Sequence, residues 1–184
     1  MKINKNPWKT ISSKQIYESP WISLQVDEVI NPAGQNSTYS ITKFKKLAVG
    51  VLPIDTEGYT YLVGQWRYPF AKYTWEIPEG GGDFNDLPQE SAARELKEET
   101  GISAKNWEKI VEMDMSNSAT NEVAHIFLAT NLNFGKSEPD DDEEIEVKKI
   151  HFDKLYTMVL KGEITDSLTV AAVLKYKLML NKLT

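Results

Sequence analysis

The spacing of apolar residues changes along the chain, and each change marks an expected element. Residues 21–30 alternate, with Ile22, Leu24 and Val26 on one side. Asn31-Pro32-Ala33-Gly34 supplies turn chemistry, and residues 37–44 run back, so a β-hairpin is expected. Ahead of it, Ile16, Tyr17 and Trp21 flank Ser19-Pro20; aromatics there serve the hairpin core or a contact between copies. Residues 47–54 form a continuous apolar run typical of a buried strand, 55–58 a turn, and 59–65 its partner. Strands are also expected at 107–113, 123–130 and 145–152, with a polar connection at 114–122 and a loop at 131–144 that ends in acids.

Helical spacing appears in three places. Over 87–100, Pro88 suits a first turn, Asp86 with Gln89 three residues on reads as a capping box, and Gly101 supplies a stop. Asp153 can cap a short helix with Leu155, Met158 and Val159 inward and Gly162 as its end. Asp166 can cap a last helix at 167–183, whose stripe of Leu168, Ala171, Ala172, Leu174, Leu178 and Met179 faces a core.

The helix at 87–100 carries charges that make poor sense as structure alone. At about 100° per residue, Glu95, Glu98 and Glu99 fall within one quadrant, beside the apolar edge of Ala92 and Leu96. Like charges three and four residues apart repel by about 0.2–0.5 kcal/mol per pair, and anions near a helix C-terminus oppose the macrodipole. A hard divalent cation would compensate them, since such ions take carboxylate oxygens and keep waters to share with substrate phosphates. The alternative is a solvated acidic face partly neutralised by Arg94 and Lys97.

Composition narrows the classes. The 184 residues, 41% of them hydrophobic, are enough for one full core. The apolar runs are far shorter than the roughly 20 residues that span a bilayer, and the N-terminus does not lead into a signal-peptide core. The chain has no cysteine, which excludes a disulfide framework, thiol catalysis and cysteine zinc sites. A cytoplasmic protein fits. The net charge of −6 argues against gripping long nucleic acids, but a small anionic substrate could still meet local cations. His125 and His151 are not spaced as metal ligands, and the acids of 140–144 lack the glycine and spacing of an EF-hand.

Gly80 through Ile102 resembles the signature of the Nudix hydrolases, G-x5-E-x7-R-E-U-x-E-E-x-G-U with U a bulky apolar residue. Gly80 is the first glycine, Arg94-Glu95 the R-E pair, Leu96 the apolar site, Glu98-Glu99 the paired acids and Gly101-Ile102 the end. Asp86 stands where the family has its first Glu. Gln65-Trp66-Arg67-Tyr68-Pro69 and Trp75-Glu76-Ile77-Pro78-Glu79-Gly80 resemble elements of the ADP-ribose pyrophosphatase branch. Ser116-Asn117-Ser118 departs from that branch's usual Ser-Pro-Gly.

The resemblance implies an α/β (α+β) fold, the Nudix α/β/α sandwich with a central mixed sheet. An N-terminal β-hairpin extension at 1–44 would serve dimerisation and the substrate pocket, and 45–184 would form the hydrolase domain. It implies hydrolysis of a nucleoside diphosphate linked to another moiety, with ADP-ribose giving AMP and ribose 5-phosphate as the leading case. The alternatives are a nucleotide-sugar pyrophosphatase acting on ADP-glucose or GDP-mannose, and a silent nucleotide-sensing domain. The cofactor would be Mg2+, with Mn2+ as a substitute. The metal would be held by Glu95, Glu98, Glu99 and the backbone carbonyl of Glu79. Asp141, Glu143 and Glu144 are candidates for the general base. Arg67, Trp21, Glu122 and Glu76 would contact substrate: Arg67 as a planar fork on phosphate, unless it is simply paired with Glu76, and Trp21 by stacking on the base. The expected partners are a small-molecule nucleotide and a second copy of the chain, with no nucleic acid or membrane.

Overall fold

A computed structural model describes residues 5–137 and 144–182. The chain divides into two compact units, Met1–Lys46 with Asp114–Glu122, and Leu47–Met113 with Val123–Thr184.

The first unit is built on a three-stranded antiparallel sheet of β1 (Lys9–Glu18), β2 (Ile22–Ile30) and β3 (Asn36–Phe44), in that order. The expected hairpin is β2–β3, in continuous register from Ile22 opposite Phe44 to Ile30 opposite Asn36. Its turn is closed by Asn31, whose Oδ1 accepts from Ala33 and Gln35 at 3.0 Å. Two features were not expected. β1 is a ten-residue strand with no buried residue, so it shows no inward face for a periodicity argument to find. The polar 114–122 connection is not a free loop, because Ala119 O accepts from Thr42 N, Ser118 O from the Tyr39 hydroxyl and Asn121 Oδ1 from Phe44 N.

In the second unit, β4 (Leu47–Pro53) lies between β7 (Glu79–Gly82), antiparallel, and β9 (Val123–Phe134), parallel, with β8 (Ile102–Asp114) beyond β9. This is the expected mixed sheet. β5 (Tyr59–Arg67) pairs with β6 (Lys72–Glu76) and β10 (Glu146–His151) in a second, antiparallel sheet. Successive strand residues face opposite sides, and β4 uses both. Val49 and Val51 pack with Ala92 and Leu96 of α1 (Pro88–Thr100), Ile102 and Phe127. Between them, Gly50 faces the other way, where an added Cβ would come 3.1 Å from Ile77 Cδ1 and from Leu168 Cδ2 of α3 (Ser167–Lys182). Helices therefore cover both faces of the strand. The short α2 (Phe152–Leu160) packs against α3 and β10.

Several boundaries depart from expectation for local reasons. The N-cap of α1 is Leu87 without a side-chain bond, so the Asp86–Gln89 capping box does not form. α2 is capped by His151, whose Nδ1 accepts from Asp153 N, rather than by Asp153. β8 and β9 run longer than expected, because the strands continue through mostly exposed residues that show little apolar pattern, with Ile102, Ala104 and Leu132 packing inward between them. Gly101 does end α1, in the left-handed conformation (φ 71°) with its N–H on Lys97 O. Asp166 caps α3 as expected, with Oδ2 accepting from Thr169 N at 2.7 Å.

Candidate active site

The last two turns of α1 lie against β7, and the contact is set by small residues. A Cβ on Gly80 would overlap the carboxylate of Glu95, so the glycine leaves the space in which that carboxylate sits. Glu99, buried at 3% exposure, accepts the Glu79 backbone N–H at 3.0 Å. Arg94 binds Glu95 at 2.8 Å and Glu98 at 2.9 Å, and donates to Gly81 O at 2.9 Å. The three helix acids thus divide the work: Glu95 and Glu99 turn toward the strand, while Glu98 is one-third exposed beside Arg94. Lys97 forms no direct ion pair with these acids among the described residues. Beyond Glu98 a cleft of about 480 Å³ opens, lined also by Ala93, Arg94, Lys97 and Trp107.

A second acidic group adjoins the first. Arg67, at the end of β5, forms ion pairs through Nη2 with Glu76 Oε1 and, at 2.8 Å, with Glu79 Oε1, and its Nε donates to Glu76 Oε2 at 3.2 Å. Gln65 and Thr74 also donate to Glu76, which is 2% exposed. Asp166, from the cap of α3, completes a set of three carboxylates whose oxygens lie within 4.8 Å of one another. Among the described residues these are Glu76, Glu79 and Asp166, not the three acids of α1. Sequence reasoning assigned Asp166 only a capping role, because nothing in its neighbourhood of the chain points to Glu76, 90 positions away.

Electrostatics follow from this packing. Burial pushes the Glu79 carboxyl well above the usual carboxylate range; Asp166, Glu76 and Glu99 push the same way, and Arg67 opposes them. Glu79 Oε2 is sealed from solvent without a hydrogen-bond partner among the described residues. Burial likewise raises Glu76, although Arg67 pulls it down. For Arg67, burial disfavours the cation, but Glu76, Glu79 and Asp166 outweigh it and raise its pKa.

The remaining expected residues fall elsewhere. Trp21 is 69% exposed at the entry to β2, and Glu122 is half-buried at the end of the 114–122 segment, its carboxyl raised by burial; both belong to the first unit. Glu144 is exposed just before β10. Asp141 and Glu143 lie outside the described residues.

An all-oxygen, carboxylate-rich donor set suits a hard divalent ion and would not suit a soft one. The seating of the Glu95 carboxylate over Gly80, with Glu99 on the Glu79 amide, fits such an ion. Comparison with known proteins agrees with this chemistry. The Nudix domain model matches residues 44–171, and the chain belongs to the Nudix family. A second match, over residues 8–41, is to the nucleoside diphosphate sugar hydrolase N-terminal domain. The chain is similar to an ADP-ribose pyrophosphatase of Bacillus subtilis (strain 168), at 36% identity over 90% of each chain. An ADP-ribose pyrophosphatase of Mycobacterium tuberculosis is 30% identical, over 92% of this chain and 83% of that one. A methanol dehydrogenase activator of Bacillus methanolicus is 33% identical over 90% of each. The crystal structure of an ADP compounds hydrolase superposes with a TM-score of 0.86 over 97% of each chain at 18% identity, which bears on the fold.

Proposed function

We propose that this chain hydrolyses the diphosphate bridge of ADP-ribose, releasing AMP and ribose 5-phosphate, or that of a closely similar ADP-sugar, releasing AMP and the sugar phosphate. The observation that carries the reading is the seating of the α1 acids: Glu95 fills the space above Gly80 while Glu99 holds the Glu79 amide. The similarity to ADP-ribose pyrophosphatases over nine-tenths of the chain supports the substrate.

A diphosphate repels nucleophiles through its own charge, and this site is itself acidic. Glu95, Glu98 and Glu99 would hold Mg2+, which when bound neutralises phosphate charge and lowers the pKa of an attacking water. Arg94 orients two of these carboxylates. Arg67 spends Nε and Nη2 on Glu76 and Glu79, so its Nη1 is the edge offered to a phosphate oxygen. An acid of the loop preceding β10, Asp141, Glu143 or Glu144, takes the water proton as general base. The reaction forms a bond from water oxygen to one phosphorus and breaks the bridging P–O bond, and the leaving phosphate carries away the pair of electrons.

Further parts of the proposal concern the first unit. Trp21 stacks on the base, Glu122 contacts substrate, and residues 1–44 join two copies into a homodimer that works in the cytoplasm. The exposure of Trp21, with Trp8, Ile11, Ile16 and Tyr17 also exposed, supports a covering partner. GDP-mannose pyrophosphatases are also similar, one at 32% identity over 61% of the chain, and keep a GDP-sugar as the second reading.

A panel of ADP-ribose, ADP-glucose, GDP-mannose and nucleoside triphosphates with Mg2+, scored by product identity, tests the reading. ADP-ribose is expected to give the highest kcat/KM. Turnover of GDP-mannose alone selects the second reading, and tight binding without turnover selects a sensing domain.

A further inference from the structure

β6 ends at Glu76 and β7 begins at Glu79, so Ile77 and Pro78 form a two-residue link from one sheet of the second unit to the other. The two acids that hold Arg67 stand at either end of this link. A link between sheets cannot use a ladder for its own backbone groups, and those buried there need other partners. Proline has no N–H, and Pro78 O is satisfied by Val51 N at 2.8 Å. The remaining donor, Ile77 N–H, goes to a side chain: Thr169 Oγ1, at 2.9 Å in a buried bond.

Thr169 is fully buried on the first turn of α3. Because an amide N–H can only donate, Thr169 Oγ1 must accept from Ile77 and send its own proton elsewhere. It sends it to Asp166 Oδ2 at 2.7 Å, and the same oxygen accepts Thr169 N at 2.7 Å. Asp166 Oδ2 thus accepts from both the hydroxyl and the amide of Thr169, and Thr169 Oγ1 from Ile77. The cap of α3 therefore does two things. It ends the helix, and it pins the backbone between Glu76 and Glu79.

We infer that Thr169, oriented by Asp166, is a positioning residue for Arg67 and so for binding of the substrate diphosphate. Its single hydrogen bond to Ile77 sets the separation and orientation of the two carboxylates that aim the guanidinium. Thr169 touches no substrate. The inference rests on the proposed reading that Arg67 binds a phosphate.

The test is Thr169→Val, which keeps the shape and removes the hydroxyl, assayed with ADP-ribose and Mg2+. KM is expected to rise about tenfold with kcat within about threefold, because a uniformly weakened phosphate contact acts on binding. Thr169→Ser, which keeps the hydroxyl, is expected to restore a wild-type KM. In an Arg67→Lys background, Thr169→Val is expected to add less than about twofold to KM, since the geometry it controls is then already lost. Should Thr169→Val fail to fold, Thr169→Ala, which also removes the acceptor of the Ile77 N–H, is expected to raise KM by about threefold or more. An active wild-type enzyme whose KM is unchanged in the folded variant overturns the inference alone. So does a KM effect of full size in the Arg67→Lys background. A wild-type chain that turns over no nucleoside diphosphate derivative overturns the functional reading and this inference with it.

Discussion

The second unit holds two groups built from the same parts, three carboxylates and one arginine, and they differ in how they are assembled. Around Arg94, the acids Glu95 and Glu98 are neighbours on one helix, with Glu99 beside them. Around Arg67, Glu76 ends β6, Glu79 begins β7 and Asp166 caps α3. The first group is open: the Arg94 side chain is 48% exposed and Glu98 36%. The second is closed, with Glu76 at 2%. Local spacing makes a group whose arginine and one of whose acids stay in solvent, whereas tertiary packing gathers acids from three elements around an arginine that is two-thirds buried. Ion pairs of the exposed kind contribute about 0–1 kcal/mol, while breaking a buried pair costs about 3–5 kcal/mol. The two groups should therefore fail differently when altered, the first in activity and the second in stability.

The largest expected effect is on rate. On the proposed reading, Glu98→Gln and Glu99→Gln should each lower kcat by several orders of magnitude at saturating Mg2+, since each removes a charge that would hold the metal. Glu98→Gln should leave the melting temperature of the metal-free protein unchanged or slightly higher, because it relieves like-charge repulsion. Near-wild-type turnover in both variants would remove the metal assignment from α1.

Next in size is stability. Glu76→Ala strips Arg67 of its principal partner and should cost about 2–3 kcal/mol in denaturant unfolding, somewhat below the fully buried range because one-third of Arg67 stays in water. Arg94→Ala should cost under about 1 kcal/mol. Equal losses in the two variants would erase the distinction between the groups.

A smaller effect concerns pH. The folded-state pKa of Glu79 is raised, so the native state binds this proton more tightly than the unfolded chain does. Its contribution to stability is then fully present below the unfolded value of about 4.3 and is lost as pH rises through the higher folded value. Metal-free wild type should thus lose melting temperature relative to Glu79→Gln as pH is raised from about 4 toward neutrality. A constant difference between the two across that range would show that Glu79 ionises in the folded protein as it does in water.

The same contrast explains what could be read from the sequence. Helix α1, its glycine stop, the β2–β3 hairpin and the β4 and β5 strands were legible because each rests on local period or turn chemistry, as Gly101 with its positive φ shows. The R-E-x-x-E-E acids were legible for the same reason. β1 was missed because all ten residues face solvent and leave no apolar alternation. The capping box was misread because Asp86 is one residue too early, Leu87 being the N-cap. Asp166 was recognised as a cap, but its place beside Glu76 and Glu79 depends on α3 packing against the sheet, which no spacing along the chain encodes.

The central claim is that this Nudix chain cleaves the diphosphate of ADP-ribose with a cation held by the α1 acids. Its most direct test is product analysis of ADP-ribose incubated with wild type and with Glu99→Gln, each with and without Mg2+. The account predicts equimolar AMP and ribose 5-phosphate from wild type with Mg2+ only, and products reduced by several orders of magnitude from the variant. Equal product without the cation, or from Glu99→Gln with it, would contradict the claim.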